Sequence, residues 1–265
     1  FDMAKSSAVP SSLLTADSSE SLHEDESSCI LMPDLERVHV QHVYDAIAKQ
    51  WHGTRYKAWP NVISFVESLG AGSLIADLGC GNGKLAPSFK ANRHYGIGCD
   101  FSHELVRISA AQMQLEAQVA DVMDLPYRSD TFDAAVSIAV LHHVATVSRR
   151  RRLIQEALRI LRPQGRALFY AWAMEQRNGR SGHEFAAQDV FVPWHQKQVE
   201  RPQPHSPAPA ATPQAAGDFA AVYQRYCHVY REGELTKLIS SIPNARLVKE
   251  YYDVGNWCAV VEKIS

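Results

Sequence analysis

The sequence predicts an α/β fold with a mostly parallel, seven-stranded sheet that includes an antiparallel C-terminal strand. Short β-prone runs alternate along the chain with amphipathic stretches, in which apolar residues recur at three- and four-residue spacing. Such alternation is typical of a parallel sheet covered by helices on both faces. Two strand-like runs follow each other closely near the C-terminus, which indicates the antiparallel finish. A chain of 265 residues, 46% of them hydrophobic, is long enough for one large globular domain.

The individual elements follow from this alternation. Strands are expected at residues 73–78, 94–99, 116–120, 134–138, 166–172, 246–252 and 257–262. Helices are expected at residues 39–50, 60–69, 103–113, 148–161 and 232–240. No internal repeat interrupts the pattern.

Two segments of unusual composition divide the chain. Residues 1–33 contain nine serines and six acidic residues, with Lys5 as the only basic side chain, so we expect a disordered tail. Residues 202–213 contain five of the thirteen prolines, and we expect a Pro/Ala-rich linker or loop over residues 196–217. The domain is therefore predicted in two parts, residues 34–195 and 218–265.

Composition excludes several classes of protein. Charged residues or histidines break every hydrophobic run before it reaches the roughly 18 residues that a membrane span needs. The five cysteines are widely spaced and form no Cys-x-x-Cys pair, so neither a disulfide scaffold nor a cysteine zinc site is expected. Residues 1–33 resemble neither a secretory signal nor a transit peptide, and we expect a cytoplasmic or nuclear protein.

The formal net charge of −2 argues at first against a nucleic-acid partner. Residues 149–180, however, contain nine arginines and only two acidic residues, Glu156 and Glu175, which gives this window a charge of +7. The remainder of the chain then carries −9. The arginines at the start of the window either form an ordinary solvated helix start or contact phosphate, and we favour phosphate contact through Arg150.

A glycine-rich loop carries the strongest chemical signal. It follows the first predicted strand and contains glycines at 79, 81 and 83. The third glycine of a dinucleotide-binding motif would fall at position 84, which is Lys84. Asp77 precedes the loop, and its carboxylate would repel a diphosphate but suits the ammonium group of an amino-acid moiety. This difference favours S-adenosyl-L-methionine (SAM) over a nicotinamide dinucleotide as the cofactor.

Polar residues at the ends of the next strands support this cofactor. Asp100 is placed to accept hydrogen bonds from both ribose hydroxyls, and Asp121 to accept the adenine amino hydrogen, while the fourth strand ends at Ala139 beside the reacting sulfonium. A class I SAM-dependent methyltransferase with a Rossmann-like sheet is therefore predicted. The predicted cofactor-binding residues are Asp77, Gly79, Cys80, Gly81, Asn82, Gly83, Asp100, Phe101, Asp121, Val122 and Ala139.

Motifs outside this cofactor signature point to a family. These motifs occupy residues 54–60, 77–84, 137–143, 170–176, 188–194 and 225–235. Together they resemble the eukaryotic tRNA wobble-uridine carboxymethyl methyltransferases, from Glu36 to the C-terminus except for the Pro-rich insert. Cys227 departs from the pattern, because the family is expected to have an aromatic residue there.

The resemblance implies methyl esterification of 5-carboxymethyluridine at position 34 of certain tRNAs. A carboxylate with a reference pKa of about 4 is already ionised at neutral pH and needs no general base. By motif position, Arg55 and Arg231 would hold the substrate carboxylate or a nearby phosphate, and His142 would border the methyl-transfer site. The residues expected to bind the substrate base or RNA are Arg150, Val192, Trp194, Tyr226, His228 and Tyr230, with Trp194 and Tyr230 as stacking platforms.

Partners and alternatives complete the expectations. The implied partners are the tRNA anticodon loop and a small zinc-binding activator subunit, for which we expect a docking site at the edge strand near residues 117–120. His142 and His143 could form a metal pair, but the sequence offers no further ligand at suitable spacing, and no metal is predicted. A methyltransferase acting on a small molecule or lipid, and a non-catalytic SAM- or RNA-binding subunit, remain the alternative functions.

Overall fold

The computed structural model describes residues 6–14, 30–54, 59–176, 184–197 and 219–265. Its strands are β1 (Ser7–Ala8), β2 (Leu74–Leu78), β3 (Tyr95–Asp100), β4 (Glu116–Val119), β5 (Phe132–Ile138), β6 (Leu161–Trp172), β7 (Asp189–Lys197), β8 (Phe219–His228), β9 (Ala245–Asp253) and β10 (Asn256–Lys263). The α-helices are α1 (Asp34–Glu36), α2 (His42–His52), α3 (Pro60–Glu67), α4 (Ala86–Ala91), α5 (His103–Ile108), α6 (Val147–Ile160) and α7 (Glu234–Ser240). Two π-helical turns, Arg37–Gln41 and Ser109–Met113, and one 3₁₀ turn, Leu141–His143, complete the elements.

The main sheet confirms the predicted fold class. Seven strands pair in the order β4-β3-β2-β5-β6-β10-β9; β10 is antiparallel to both β6 and β9, and the other pairs are parallel. The order reverses between β2 and β5, which is where an open α/β sheet forms a ligand crevice at the carboxyl ends of its strands. None of the helices in the described part of the chain is long and apolar enough to cross a membrane.

Local sequence explains where the helices begin. The Thr146 hydroxyl accepts the backbone N–H of Arg149 and caps α6, and the Ser102 hydroxyl accepts the backbone N–H of Leu105 and caps α5. Pro60 occupies the first position of α3, where its missing N–H has no intrahelical partner to lose. The caps of α5 and α6 thus fix helices that follow β3 and β5, two of the strands whose ends form the crevice.

A second sheet was not predicted from the sequence. Strands β1, β7 and β8 form an antiparallel sheet in that order, with Phe191 opposite Tyr226. This sheet packs through Phe191 and Tyr226 against Val40, Tyr44 and Ile47 of the first helical segment. The pair β7 and β8 carries no hairpin signal, because more than twenty residues separate the two strands along the chain.

The N-terminal segment also differs in part from the expected disordered tail. Ser7 and Ala8 pair with Val190 and Phe191 on the edge of β7, and Val9 is buried in the same hydrophobic cluster as Tyr44. A serine-rich composition predicts disorder from its poor burial, but one apolar residue beside an open strand edge is enough to hold a short strand. Of the Pro-rich stretch, residues 198–218 lie outside the described residues, and residues 196–197 end β7.

Candidate functional site

A cavity of about 380 Å³ opens at the carboxyl ends of β2, β3 and β5. Its volume lies in the range of roughly 300–1,000 Å³ that is usual for small-molecule sites. Most of the predicted cofactor residues line it, together with His142: these are Gly79, Cys80, Gly81, Asn82, Asp100, Phe101, Asp121, Val122 and Ala139. The cavity thus gathers residues from four strand ends that lie up to 60 positions apart in the sequence.

The glycine loop borders the cavity, but Gly81 and Gly83 have different structural roles. Gly81 has φ +55°, and no described atom lies within 4 Å of the place where a Cβ would stand, so a ligand can approach its backbone. Gly83 does not line the cavity. A Cβ there would stand 2.4 Å from Ser109 Oγ, so Gly83 lets the loop pack closely on the π-helical turn.

Asp100 ties the loop to the next strand. Its carboxylate accepts the backbone N–H of Gly81 and that of Ser102, each at 2.9 Å. Burial raises the pKa of Asp100 to about 6, although the two backbone hydrogen bonds oppose that rise. Asp121 lies across the cavity, about one third exposed, where its Oδ1 accepts the backbone N–H of Met123. Both carboxylates therefore keep polar edges toward the cavity, as ribose hydroxyls and an exocyclic amine require.

Asp77 lies beneath the loop and does not line the cavity. It is buried, and burial raises its pKa to about 7, with Lys84 opposing and Asp100 reinforcing the rise. The predicted contact of Asp77 with the ammonium group of the cofactor therefore stays a prediction. The open backbone at Gly81 and the carboxylates of Asp100 and Asp121, all at the cavity, fit SAM.

His142 lies in the 3₁₀ turn Leu141–His143, just after β5. Its ring stacks on Trp172 with 4.8 Å between centroids, and its Nδ1 accepts the backbone N–H of Trp172 at 3.3 Å. Burial, with help from the charge of Arg225 and neighbouring His143, lowers the pKa of His142 well below its ordinary value, so the ring is neutral. A neutral imidazole that accepts at Nδ1 carries its hydrogen on Nε2. His142 is therefore a hydrogen-bond donor at the cavity wall.

His142, His143 and Cys227 form a cluster whose possible ligand atoms all lie within 4.8 Å of one another. The sequence did not reveal Cys227 as a neighbour of the two histidines, since it lies on β8. The Nδ1 of His143 lies 2.7 Å from the carbonyl oxygen of Tyr226 and donates to it, while the Tyr44 hydroxyl donates to Nε2 at 2.8 Å. With both ring nitrogens engaged, His143 serves as a structural link between α2 and β8.

Four of the residues expected to bind RNA are buried, so their contacts with RNA stay predictions. Val192, Tyr226, His228 and Tyr230 are at most 6% exposed. His228 lies between two carboxylates, with Nδ1 3.0 Å from Asp189 and Nε2 2.7 Å from Glu234. Tyr226 packs in the cluster of α2, and Tyr230, which follows β8, packs in the main core, so both rings face inward in this arrangement.

Arg150 is also buried, and its predicted phosphate contact stays a prediction. The side chain is about 6% exposed, its guanidinium donates to the carbonyl oxygens of Val144 and Ala145, and it lies 3.9 Å from Asp189 and 4.0 Å from Glu234. The N–H groups of Arg150 that a phosphate would need are therefore already engaged by these carbonyl and carboxylate oxygens.

Five other arginines of the +7 window form ion pairs. Arg149 forms a buried ion pair with Glu36 at 2.8 Å, and both Arg152 and Arg159 pair with Glu156. Farther along, Arg162 pairs with Asp133 and Arg166 with Glu262. The sum over the window left out Glu36, Asp133 and Glu262, which are distant in sequence, so it overstates the free positive charge of the described arginines.

The remaining predicted residues divide by position. Arg55 lies outside the described residues. Arg231 is exposed and is not among the residues lining the cavity, and its predicted role stays a prediction. Trp194 is half-buried, with its ring 5.4 Å from that of Trp51 and 5.3 Å from the guanidinium of Arg225.

Sequence reasoning also missed residues of the site. Trp51 and Trp172 line the cavity, and Arg225 lies beside them. No spacing rule joins these positions, because they come from α2, β6 and β8. The available signals were the motifs at residues 170–176 and 225–235, which contain Trp172 and Arg225 but do not say which of their side chains face the site.

Comparison with known proteins agrees with the fold and the cavity. Residues 76–169 match a family described as a methyltransferase domain. Among solved structures, a methyltransferase from Streptomyces caelestis covers 85% of this chain and 99% of its own with a TM-score of 0.61, at 13% sequence identity. The fold, the cavity and the matching domain define a class I methyltransferase with SAM as cofactor.

Curated relatives identify the family. A tRNA (carboxymethyluridine(34)-5-O)-methyltransferase of Schizosaccharomyces pombe is 41% identical over 233 residues, which cover 87% of this chain and 98% of the relative. The protein of the same name from Macaca fascicularis is 34% identical and matches 86% of this chain, but the match spans only 44% of that longer protein. The chain belongs to the tRNA (carboxymethyluridine(34)-5-O)-methyltransferase family.

Proposed function

We propose that the chain transfers a methyl group from SAM to the carboxylate of 5-carboxymethyluridine at tRNA position 34 and forms the methyl ester. The observation that carries this proposal is the cavity itself, in which the glycine loop, Asp100 and Asp121 meet the neutral His142. The name of the S. pombe relative supports the choice of acceptor, since that protein matches this chain almost from end to end.

The proposed chemistry is a single displacement. SAM, when bound, supplies a methyl group on a positively charged sulfur. A carboxylate oxygen forms the new O–C bond as the C–S bond breaks and its electron pair returns to sulfur, and no proton moves. The protein then has mainly to align its reactants, and alignment alone can remove about 7–11 kcal/mol of barrier.

His142 is suited to that alignment. Its Nε2–H can donate to the uracil base or to one carboxylate oxygen, while the Trp172 ring stacked on the imidazole fixes its plane. Burial lowers the pKa of His142 well below its ordinary value and keeps the ring neutral, so His142 orients the acceptor by a hydrogen bond and adds no positive charge to the site.

The decisive experiment uses tRNA that lacks the wobble methyl ester. The chain is incubated with this tRNA and methyl-labelled SAM, the tRNA is digested, and the nucleosides are separated. Label should appear in the methyl ester of carboxymethyluridine. The control variant Asp100→Ala should transfer little label because it loses the anchor of the Gly81 loop. Label in another nucleoside, or none with tRNA but some with a small carboxylic acid, would contradict the proposal.

A protein partner is part of the proposal. Strand β4 is one edge of the main sheet, and Val119 on β4 and Tyr95 on neighbouring β3 are exposed at 43% and 67%. An unpaired strand beside apolar side chains suits a partner that adds a strand or covers the edge. We propose that the zinc-binding activator subunit docks there. Full activity of a monodisperse chain without any partner would contradict this docking.

A further inference from the structure

Arg225 is a buried arginine without the partners that buried arginines normally have. It is 4% exposed, and among the described residues its Nε and Nη1 find no hydrogen-bond acceptor. Its guanidinium carbon lies 5.7 Å from the ring centroid of Trp51, 5.8 Å from that of Trp172 and 5.3 Å from that of Trp194. Three indole rings thus surround a cation that has unused donors.

The other buried arginines show what a purely structural arginine looks like in this molecule. Arg149 donates to Glu36 and to two backbone carbonyls, and Arg150 donates to two carbonyls near two carboxylates. Leaving a buried charge unpaired is costly, because the protein interior does not replace the lost hydration. A buried donor that stays unsatisfied in the free protein therefore calls for a ligand.

The surroundings indicate an anion at the methyl-transfer end of the cavity. Trp51 and Trp172 line the cavity, and the face of Trp172 also stacks on His142. The charge of Arg225 contributes to lowering the pKa of His142, so the two groups are close enough to interact electrostatically. Indole rings exclude water and lower the local dielectric, which strengthens an ion pair formed between them.

We propose that Arg225 receives the carboxylate of the acceptor base, which makes it a residue that distinguishes the acid substrate from the ester product. This inference rests on the proposed function. The planar guanidinium presents N–H donors that fit a carboxylate. When they bind one carboxylate oxygen, the other oxygen is left to attack the methyl group. Esterification removes the negative charge, so the product loses this ion pair and is released more readily.

Binding measurements with three RNAs test the inference. Anticodon stem-loops carrying the acid, the methyl ester or unmodified uridine at position 34 are titrated into the full chain saturated with S-adenosylhomocysteine. The wild type should bind the acid more tightly than the other two. Arg225→Gln should weaken binding of the acid by roughly 30-fold or more and remove the preference. Arg225→Lys should retain part of it.

Controls separate this role from others. Arg246→Gln removes an exposed arginine of the edge strand β9, which pairs with Glu262 of β10. This variant should keep the full preference for the acid. If Arg225→Gln weakens all three RNAs equally, Arg225 contacts a phosphate and the inference is wrong. The inference is also wrong if Arg225→Gln still binds the acid more tightly than the other two RNAs. A wild type that does not distinguish acid from ester contradicts the proposed function itself.

A melting experiment excludes a structural role. Removing an unpaired buried charge should leave the melting temperature of Arg225→Met at or above that of the wild type, with unchanged affinity for S-adenosylhomocysteine. A melting temperature several degrees lower, together with lost affinity for S-adenosylhomocysteine, would assign Arg225 to the scaffold and overturn the inference.

Discussion

Asp77 links the cofactor site to stability through its protonation. In the folded chain its pKa is about 7, whereas an unfolded aspartate has a value near 3.8. Below about pH 4 the carboxyl is protonated in both states and burial carries no charge penalty. As the pH rises from about 4 to 7, the unfolded state loses its proton first, so the folded state loses relative stability. Above about pH 7 both states are ionised and the penalty is constant.

Asp77→Asn should therefore stabilise the free chain, and increasingly so between about pH 4 and 7. The gain at pH 8 should be of the order of a few kcal/mol, because asparagine has the same shape and no charge to desolvate. Thermal melts of wild type and variant across this pH range measure the difference. The variant should also bind SAM more weakly, since it removes a negative charge that lies directly before the glycine loop. A difference in melting temperature that does not change with pH would contradict this account.

Gly81 and Gly83 offer a matched pair of substitutions within one loop. Both have positive φ, so alanine costs each about 1–2 kcal/mol of backbone strain. Only at Gly83 does the new Cβ meet another atom, Ser109 Oγ at 2.4 Å. Gly83→Ala should thus lower the free energy of unfolding by clearly more than Gly81→Ala. Relative to its smaller loss of stability, Gly81→Ala should have the larger effect on SAM binding. Urea unfolding and cofactor titration distinguish the two, and equal losses of stability would count against the packing role of Gly83.

At the scale of elements, one buried ion pair joins the first helical segment to α6. Arg149 and Glu36 are each almost fully buried, and Arg149 also donates to the carbonyl oxygens of Ile30 and Leu31. Burial raises the pKa of Glu36 despite this partner. The side chain of Arg149 thus holds residues 30–36 against α6.

Arg149→Met should lower the free energy of unfolding by about 3–5 kcal/mol, because it leaves the Glu36 carboxylate buried without a cation. The double variant Glu36→Leu/Arg149→Met should recover part of that loss. Arg37→Met is the matched control, since the Arg37–Asp34 pair is exposed and its removal should cost less than about 1 kcal/mol. Chemical denaturation of all four proteins completes the test. If Arg149→Met and Arg37→Met lose equal stability, burial does not govern the contribution of the pair.

The elements also show how far the sequence could be read. Strands β2, β3 and β5 carry their signal locally, in apolar runs that end at Gly79, Asp100 and Ala139, and most of the residues predicted for the cofactor line the cavity for that reason, although Asp77 and Gly83 do not. The second sheet could not be predicted, because β7 and β8 meet across a long connection and their burial depends on α2. The inward orientation of Tyr226 has the same origin: spacing shows that a segment contains aromatic residues, but the facing surface decides which way they point.

At the scale of the whole molecule, the paired arginines alter the expectation for RNA binding. Arg152 and Arg159 are partly buried and share Glu156. Arg152→Gln and Arg159→Gln should each lower the melting temperature while leaving the salt dependence of tRNA binding unchanged. If either arginine bound a phosphate of the tRNA, its replacement would instead reduce the slope of log K against log salt by about 1. Titrations of tRNA at several salt concentrations measure this slope.

The position of β10 has a consequence for synthesis of the chain. This strand, formed by Asn256–Lys263, lies between β6 and β9, and the Lys263 ammonium group donates to the carbonyl oxygen of Leu161 at the start of β6. A ribosome releases the chain from the N-terminus, so β6 exposes an unpaired edge until residues 256–263 have emerged. The nascent protein must therefore keep that edge from pairing with other chains during translation, and chaperones that hold unpaired strands would act at this stage.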